Sequence, residues 1–339
     1  MSLALAIDTG DKTQLPSRRD EAWRWSDLAG QILDMPATSH IGEAKGEGPF
    51  SVLANCTTVV VNGRGAKRID LLAGQTVALR FVSSSEGTAH AAQMVVTVQG
   101  KATLLESYEG QATGYLAHAG LRIDVSAGAS LERIVLADDA ADAITVSLAD
   151  VTLAPGASFA QTVLISGAKR QRIETHLEHP GGGANVRIDG AYLISGRRHG
   201  DITTVVDHIA RDGTTNQLIK GMVRDQGRAV FQGKIVVAHG ADGTDARMGH
   251  HALILSDRAE VDAKPELLIF ADDVQCAHGN SIGALDQDAL FYARQRGLPL
   301  DEAKTILTAA FVAEVVDRIE HEGARAIAAA WTAARLEQG

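Results

Sequence analysis

Thiols are scarce in this sequence. Its 339 residues include two cysteines, Cys56 and Cys276, and no Cys-x-x-Cys, which excludes a disulfide framework. Aromatic residues amount to 4%, so neither a core of large rings nor a sugar groove lined with stacking faces is expected. Lys and Arg number 32 against 42 Asp and Glu, and the net charge of −10 argues against nucleic acid as a main partner. No apolar run is long enough to cross a bilayer. The opening MSLALAIDTGDK is short and has no basic flank, so it reads as neither a signal peptide nor a membrane span. A cytoplasmic protein with reduced thiols is the expectation. Phosphate-binding signatures are missing too. Gly100-Lys101 and Gly233-Lys234 lack the upstream glycine and the following Ser or Thr, and Gly181-Gly182-Gly183 leads to no lysine. G-x-G-x-x-G and H-E-x-x-H do not occur. If the protein serves ATP-driven work, the nucleotide sits on another subunit.

What is abundant is small and aliphatic. Hydrophobic residues make up 45% and glycine contributes 34 residues, a composition for a globular chain of stacked short strands and tight turns. From Val52 onward, short apolar or alternating runs recur between Gly, Asp, Asn and Ser. Examples are Val77–Phe81, Met94–Val98, Leu121–Val125, Arg172–Leu177, Gln217–Val223 and Ala229–Val237. This spacing predicts an all-β middle, residues 51–283. A single Asn-Gly, at Asn62-Gly63, offers little for hairpins. A solenoid of parallel strands is favoured, though pattern alone leaves a sandwich nearly as good.

Both flanks differ from the middle. Residues 1–50 read as a helical lead-in and a Gly/Glu-rich linker. Ser17, with Asp20 and Glu21 behind it, has the look of a helix N-cap, with Trp23 packing inward. Residues 284–339 read as a helical domain. Asp286 can cap a helix that Gly297 stops, and Leu298-Pro299-Leu300 starts the next. Ile306, Leu307, Ala310, Phe311, Val315 and Ile319 form one apolar stripe, and Arg325–Leu336 a third helical stretch. The stripe reads as a cap on the open end of the solenoid, as a dock for a partner, or as both on different faces.

Chemistry concentrates in Lys264–Gly283, KPELLIFADDVQCAHGNSIG. Val274, Cys276 and His278 follow at i, i+2 and i+4, so an extended segment places thiol and imidazole on one face. Such ligands suit iron, zinc or Fe–S chemistry, but two make half of a closed site, and a buried structural cysteine is the commoner case. The remaining histidines, among them His176 and His179, default to ordinary hydrogen bonding. Cys56 reads as structural. A different class of function, a β-helix polysaccharide lyase or hydrolase, would need paired carboxylates, for which Asp189, Asp201 and Asp207 are candidates.

The run P-E-L-L-I-F-A-D-D-V-Q-C-A-H-G, followed by Ala284-Leu285-Asp286 and Phe291-Tyr292-Ala293-Arg294-Gln295-Arg296-Gly297, resembles the C-terminal core of the SufB/SufD family, in the Cys-Ala-His-Gly form of its SufD side. These are scaffold subunits of the SUF iron–sulfur cluster assembly machinery. The resemblance is close over roughly residues 170 to 320. Leu15-Pro16-Ser17-Arg18-Arg19-Asp20-Glu21-Ala22-Trp23 is similar to an N-terminal family element. The resemblance implies a mainly β chain, a right-handed parallel β-helix with helical N-terminal and C-terminal parts, and a non-catalytic role. It also implies a transient iron–sulfur cluster shared with a SufB-like partner, with His278 the contributed ligand and Cys276 its neighbouring thiol, and no stable cofactor in the isolated chain. A SufC-like ABC ATPase would dock on the C-terminal helices, through Ile306, Leu307, Ala310 and Phe311. Alone, the chain could pair with a second copy.

Overall fold

The computed structural model describes residues 3–337. Its strands are β1 (Cys56–Val61), β2 (Arg68–Leu72), β3 (Thr76–Ser83), β4 (Ala89–Gln99), β5 (Lys101–Gly110), β6 (Leu116–Val125), β7 (Ser130–Asp138), β8 (Ile144–Leu153), β9 (Ser158–Ile165), β10 (Arg170–His179), β11 (Asn185–Ile194), β12 (His199–His208), β13 (Thr214–Val223), β14 (Arg228–Val237), β15 (Asp245–Ile254), β16 (Glu260–Ile269) and β17 (Gln275–Gly283). The chain alternates between two sheets. Odd-numbered strands form a nine-stranded sheet and even-numbered strands an eight-stranded one. Each ladder within a sheet is parallel. This is a parallel β-helix, in which a strand pairs with the one a full turn earlier.

Side-chain alternation fixes what each strand does. In β11, Val186, Ile188, Tyr192 and Ile194 enter the core between the sheets, while Ala191 and Leu193 belong to a second apolar cluster on the outer face. Central strands are therefore apolar on both sides, as buried parallel strands are. The interior is not wholly apolar. Arg133 donates to both oxygens of Glu106 at 2.8 Å and to Gln161 at 2.6 Å, and Gln161 continues to Thr175 at 3.0 Å. This ladder accounts for β5, a strand the sequence pattern does not announce: Glu106 breaks its apolar rhythm, and the charge of the arginine one turn later, with a hydrogen bond from the Tyr108 hydroxyl at 2.6 Å, makes that carboxylate acceptable inside. The short β2, with exposed residues at every second position, also escapes prediction.

The Asn62-Gly63 signal is a turn but not a hairpin. Val61 and Arg64 exchange backbone hydrogen bonds at 2.8 and 2.9 Å across it, with φ of 48° and 76° at the two central residues. A Cβ on Gly63 would come within 2.3 Å of the Ala91 carbonyl, so only glycine fits.

Two flanking segments cover the outer faces. Residues from Leu3 to Ile32 lie on the even sheet, where Leu3, Ile7, Leu15 and Leu28 pack with Leu116, Ile144 and Val146. Only α1 (Leu3–Thr9) is a regular helix here. Ser17 caps nothing. Its N–H donates to Asp20 at 2.8 Å, and Glu21–Trp23 is one 3₁₀ turn. The sheet claims the carbonyls that a helix would need: Ala22 accepts from Arg172 and Gln232, and Trp25 bonds the His199 ring. Trp23 does pack inward, over the Arg172 guanidinium at 4.2 Å.

Three helices follow the last strand: α2 (Gln287–Gln295), which packs on α3, then α3 (Leu300–Val316) and α4 (Glu322–Glu337), which lie on the odd sheet. Asp286 caps α2 by accepting from the N–H groups of Asp288 and Ala289, and Gly297 follows at φ 92°. α3 crosses β11 and β13, and α4 rests on β11. α3 and α4 flank the solenoid along its outer face, contrary to one reading of the apolar stripe. The reason is the sheet's own outer face: Ile134, Leu136, Leu164, Leu193 and Met222 need a cover, and Val312, Val315, Val316 and Ile319 supply it. Strands β16 and β17 consequently end the coil with one ladder partner each.

Candidate functional site at the open end of the coil

The last strand carries the residues singled out above. β17 runs beside β15 with Cys276 opposite Ala246, His278 opposite Met248 and Asn280 opposite His250. Ala246 and Met248 are buried members of the core between the sheets, so Cys276, His278 and Asn280 project from the core-facing side. The expected sharing of one face by Cys276 and His278 is met. Facing them, β16 aligns Val261, Ala263, Pro265 and Leu267 with the core residues of β14. The end of the coil thus has a polar rim on one sheet and an apolar wall on the other.

Within this rim the three side chains are held differently. Cys276 is half-buried against the core, and burial pushes its thiol up from the ordinary value. His278 is exposed, and no hydrogen bond or ion pair engages its ring. Asn280 is exposed but anchored, its Oδ1 lying 2.7 Å from Nδ1 of His250. His250 is buried, stacked on Phe231 at 4.7 Å, and its Nε2 lies 2.9 Å from the Tyr192 hydroxyl. Burial lowers its pKa to about 4, so the ring is neutral. Asn280 and His250 escape the sequence reading. Asn280 only extends the i+2 series by one step, whereas His250 becomes its neighbour through the ladder alone. Gly279 lies on the opposite face with open space over it. Asp272 and Asp273 form the bend between β16 and β17. Among the described residues, no three His, Cys, Asp or Glu side chains converge to hold a metal.

Other candidates fall elsewhere. Asp189 lies on the outer face of the odd sheet beside Arg318 (3.2 Å) and Arg187 (3.5 Å), and burial raises its pKa to about 6 even so. Asp201 lies on the outer face of the even sheet, bound to Arg172, Ser26 and Thr203. Asp207 shares that strand, about 20 Å further along. No pair among these aspartates can flank one bond, so the acid–base alternative loses its residues. His176 faces outward to Glu174 at 2.7 Å, while His179 stacks inside on His208 at 4.4 Å, which splits the H-x-x-H pair. Cys56 is exposed at the start of β1 and has no structural burial.

The proposed docking stripe also divides. Val315 and Ile319 are buried against the sheet, Leu307 and Phe311 are half-buried, and Ile306 and Ala310 face outward. Phe311 packs under the Lys220 ammonium at 4.3 Å. Exposed Phe291, Tyr292 and Leu300 enlarge the apolar surface on this side.

Residues 80–311 match the family described as SUF system FeS cluster assembly, SufBD core domain. The iron–sulfur cluster assembly protein SufD of Escherichia coli is 31% identical over 291 residues, which span 85% of this chain and 68% of that protein. An iron–sulfur cluster assembly SufBD family protein of Mycobacterium leprae is 25% identical over 91% of this chain and 87% of its own length. SufD of Bacillus subtilis is 33% identical over 42% of this chain and 34% of its own length. With the β-helix, the terminal Cys-Ala-His-Gly strand and these likenesses in agreement, the chain belongs to the SufB/SufD family of iron–sulfur cluster assembly proteins and is SufD-like within it.

Proposed function

We propose that this chain is a non-catalytic scaffold subunit whose open coil end is half of a shared cluster-building site. His278 supplies the iron ligand, Cys276 stands beside it, and a SufB-like partner brings the remaining ligands. The observation that carries this function is an unengaged imidazole on the core-facing side of an edge strand, beside a thiol, with no third ligand converging on them among the described residues. A neutral imidazole suits iron, and an edge strand with one ladder partner offers backbone groups to a second chain. The raised thiol pKa of Cys276 makes it the weaker candidate. A SufC-like ATPase docks through Ile306 and Ala310, with Leu307 and Phe311 at the margin of the contact. Deleting the helices is a poor test of that dock, because they cover the outer face of the odd sheet. A charge at Ile306 tests it cleanly.

The experiment is co-expression with SufB-like and SufC-like subunits, followed by capture through this chain under anaerobic conditions and assay of iron and acid-labile sulfide. A heteromeric complex carrying both is expected, and this chain alone should hydrolyse no ATP. A chain that purifies without partners and without iron contradicts the proposal.

A further inference from the structure

Tyr192, His250 and Asn280 join the sealed interior to the open end through one chain of hydrogen bonds. The Tyr192 ring is buried and lies across Gly221, where a Cβ would come within 1.8 Å of it. Its hydroxyl meets Nε2 of His250 at 2.9 Å, and Nδ1 of the same ring meets Oδ1 of Asn280 at 2.7 Å. A neutral imidazole has one N–H. With a carbonyl oxygen against Nδ1, that proton is on Nδ1, and Nε2 accepts the Tyr192 O–H. The Asn280 amide is therefore pinned by its oxygen, and its NH₂ group, a donor with no acceptor function, is the end left exposed. His278 lies two residues back on the same face, about 7 Å away along the strand.

We infer that Asn280 is a further substrate-contacting residue of the open-end site, donating N–H hydrogen bonds to anionic sulfur assembled at His278, with Tyr192 and His250 as the positioning residues that aim it. This rests on the cluster-building role proposed above. Chemistry favours the assignment: sulfide bound to iron is an anionic acceptor, and hydrogen bonds to cluster sulfur set both its retention and its reduction potential. A carboxylate at this position would still accept from His250 Nδ1 but would turn an acceptor and a negative charge toward the sulfur.

The test uses the full-length chain in complex with its co-expressed partners, loaded with ferrous iron and inorganic sulfide. Variants are Asn280→Asp, Asn280→Leu and His278→Ala. Acid-labile sulfide retained after gel filtration should fall about ten-fold in Asn280→Asp. Its remaining cluster should be reduced at a more negative potential, with Asn280→Leu between it and the unaltered chain. Asn280 is exposed, so both variants should assemble normally, and the potential is a readout that a merely structural residue does not move. Unaltered sulfide and potential in both Asn280 variants, alongside a cluster-deficient His278→Ala, overturn the inference and leave the site standing. Unaltered cluster in His278→Ala overturns the site itself.

Discussion

Arg133 and His278 occupy the same side-chain column, one in the middle of the coil and the other at its end. Register carries the column from Arg133 through Gln161, Ile188, Gln217 and Met248 to His278. Yet the two residues live under opposite conditions. Arg133 is sealed, and it spends its donors on Glu106 and Gln161. His278 is open and bonds nothing. Interior rungs accept polar groups only as matched sets, since an unmatched one is too costly to bury. The last rung has no rung beyond it, so polar groups there keep free capacity for something else. The proposed site accordingly lies where pairing stops.

The comparison breaks most visibly in the middle. Arg133→Met strands the Glu106 carboxylate inside the coil and should cost about 3–5 kcal/mol. The double variant with Glu106→Gln should recover much of this. Urea midpoints measure both, and an Arg133→Met chain as stable as the parent would mean that the interior ladder is not a matched set.

Next in size is the response to acid. Burial pushes His90 and His250 down to about 4, and His199 and His208 to about 3, so all four fold as neutral rings. The unfolded chain protonates them near 6.5. Their stabilising contribution is thus complete above pH 6.5 and is lost as pH falls toward 4 and 3. Each histidine contributes a slope of up to about 1.4 kcal/mol per pH unit. Urea midpoints at pH 7, 6 and 5 should decline in that order, and His208→Leu should flatten the decline by one proton. A midpoint rising toward pH 5 would contradict the burial of these rings.

A smaller effect on folding is expected from Ile306→Glu. This outward position should change stability by no more than about 0.5 kcal/mol. Capture of the ATPase subunit should nevertheless weaken by about ten-fold through the lost apolar contact. Full capture would place the dock on another surface, for which Phe291 and Tyr292 of α2 are the next choice.

Much of this was legible in the sequence, and the misses have physical causes. Strand rhythm predicted the β middle because alternation is a local property of the chain. Cys276 and His278 were found together for the same reason, since i and i+2 share a face whatever surrounds them. β5 was missed because Glu106 disguises it, and the residue that makes Glu106 tolerable lies a full turn away. Ser17 was misassigned because the sheet's side chains outbid a helix for the carbonyls of Ala22 and Trp25. The open end is one of the stripe's two readings because the outer apolar face of the odd sheet does not show as a separate signal: it mixes with the inner face in the same strands. Asn280 and His250 come together only through the ladder of β15 and β17.

The least consequential change for stability is the most direct test of function. His278→Ala removes an exposed ring with no partner, so folding, yield and complex formation should match the parent within about 0.5 kcal/mol. Reconstituted with iron and sulfide, the variant complex should show little of the visible absorbance of an assembled cluster, and Cys276→Ser should lose less. A His278→Ala complex that builds cluster to the parent's level would contradict the placement of the site at the open end of the coil.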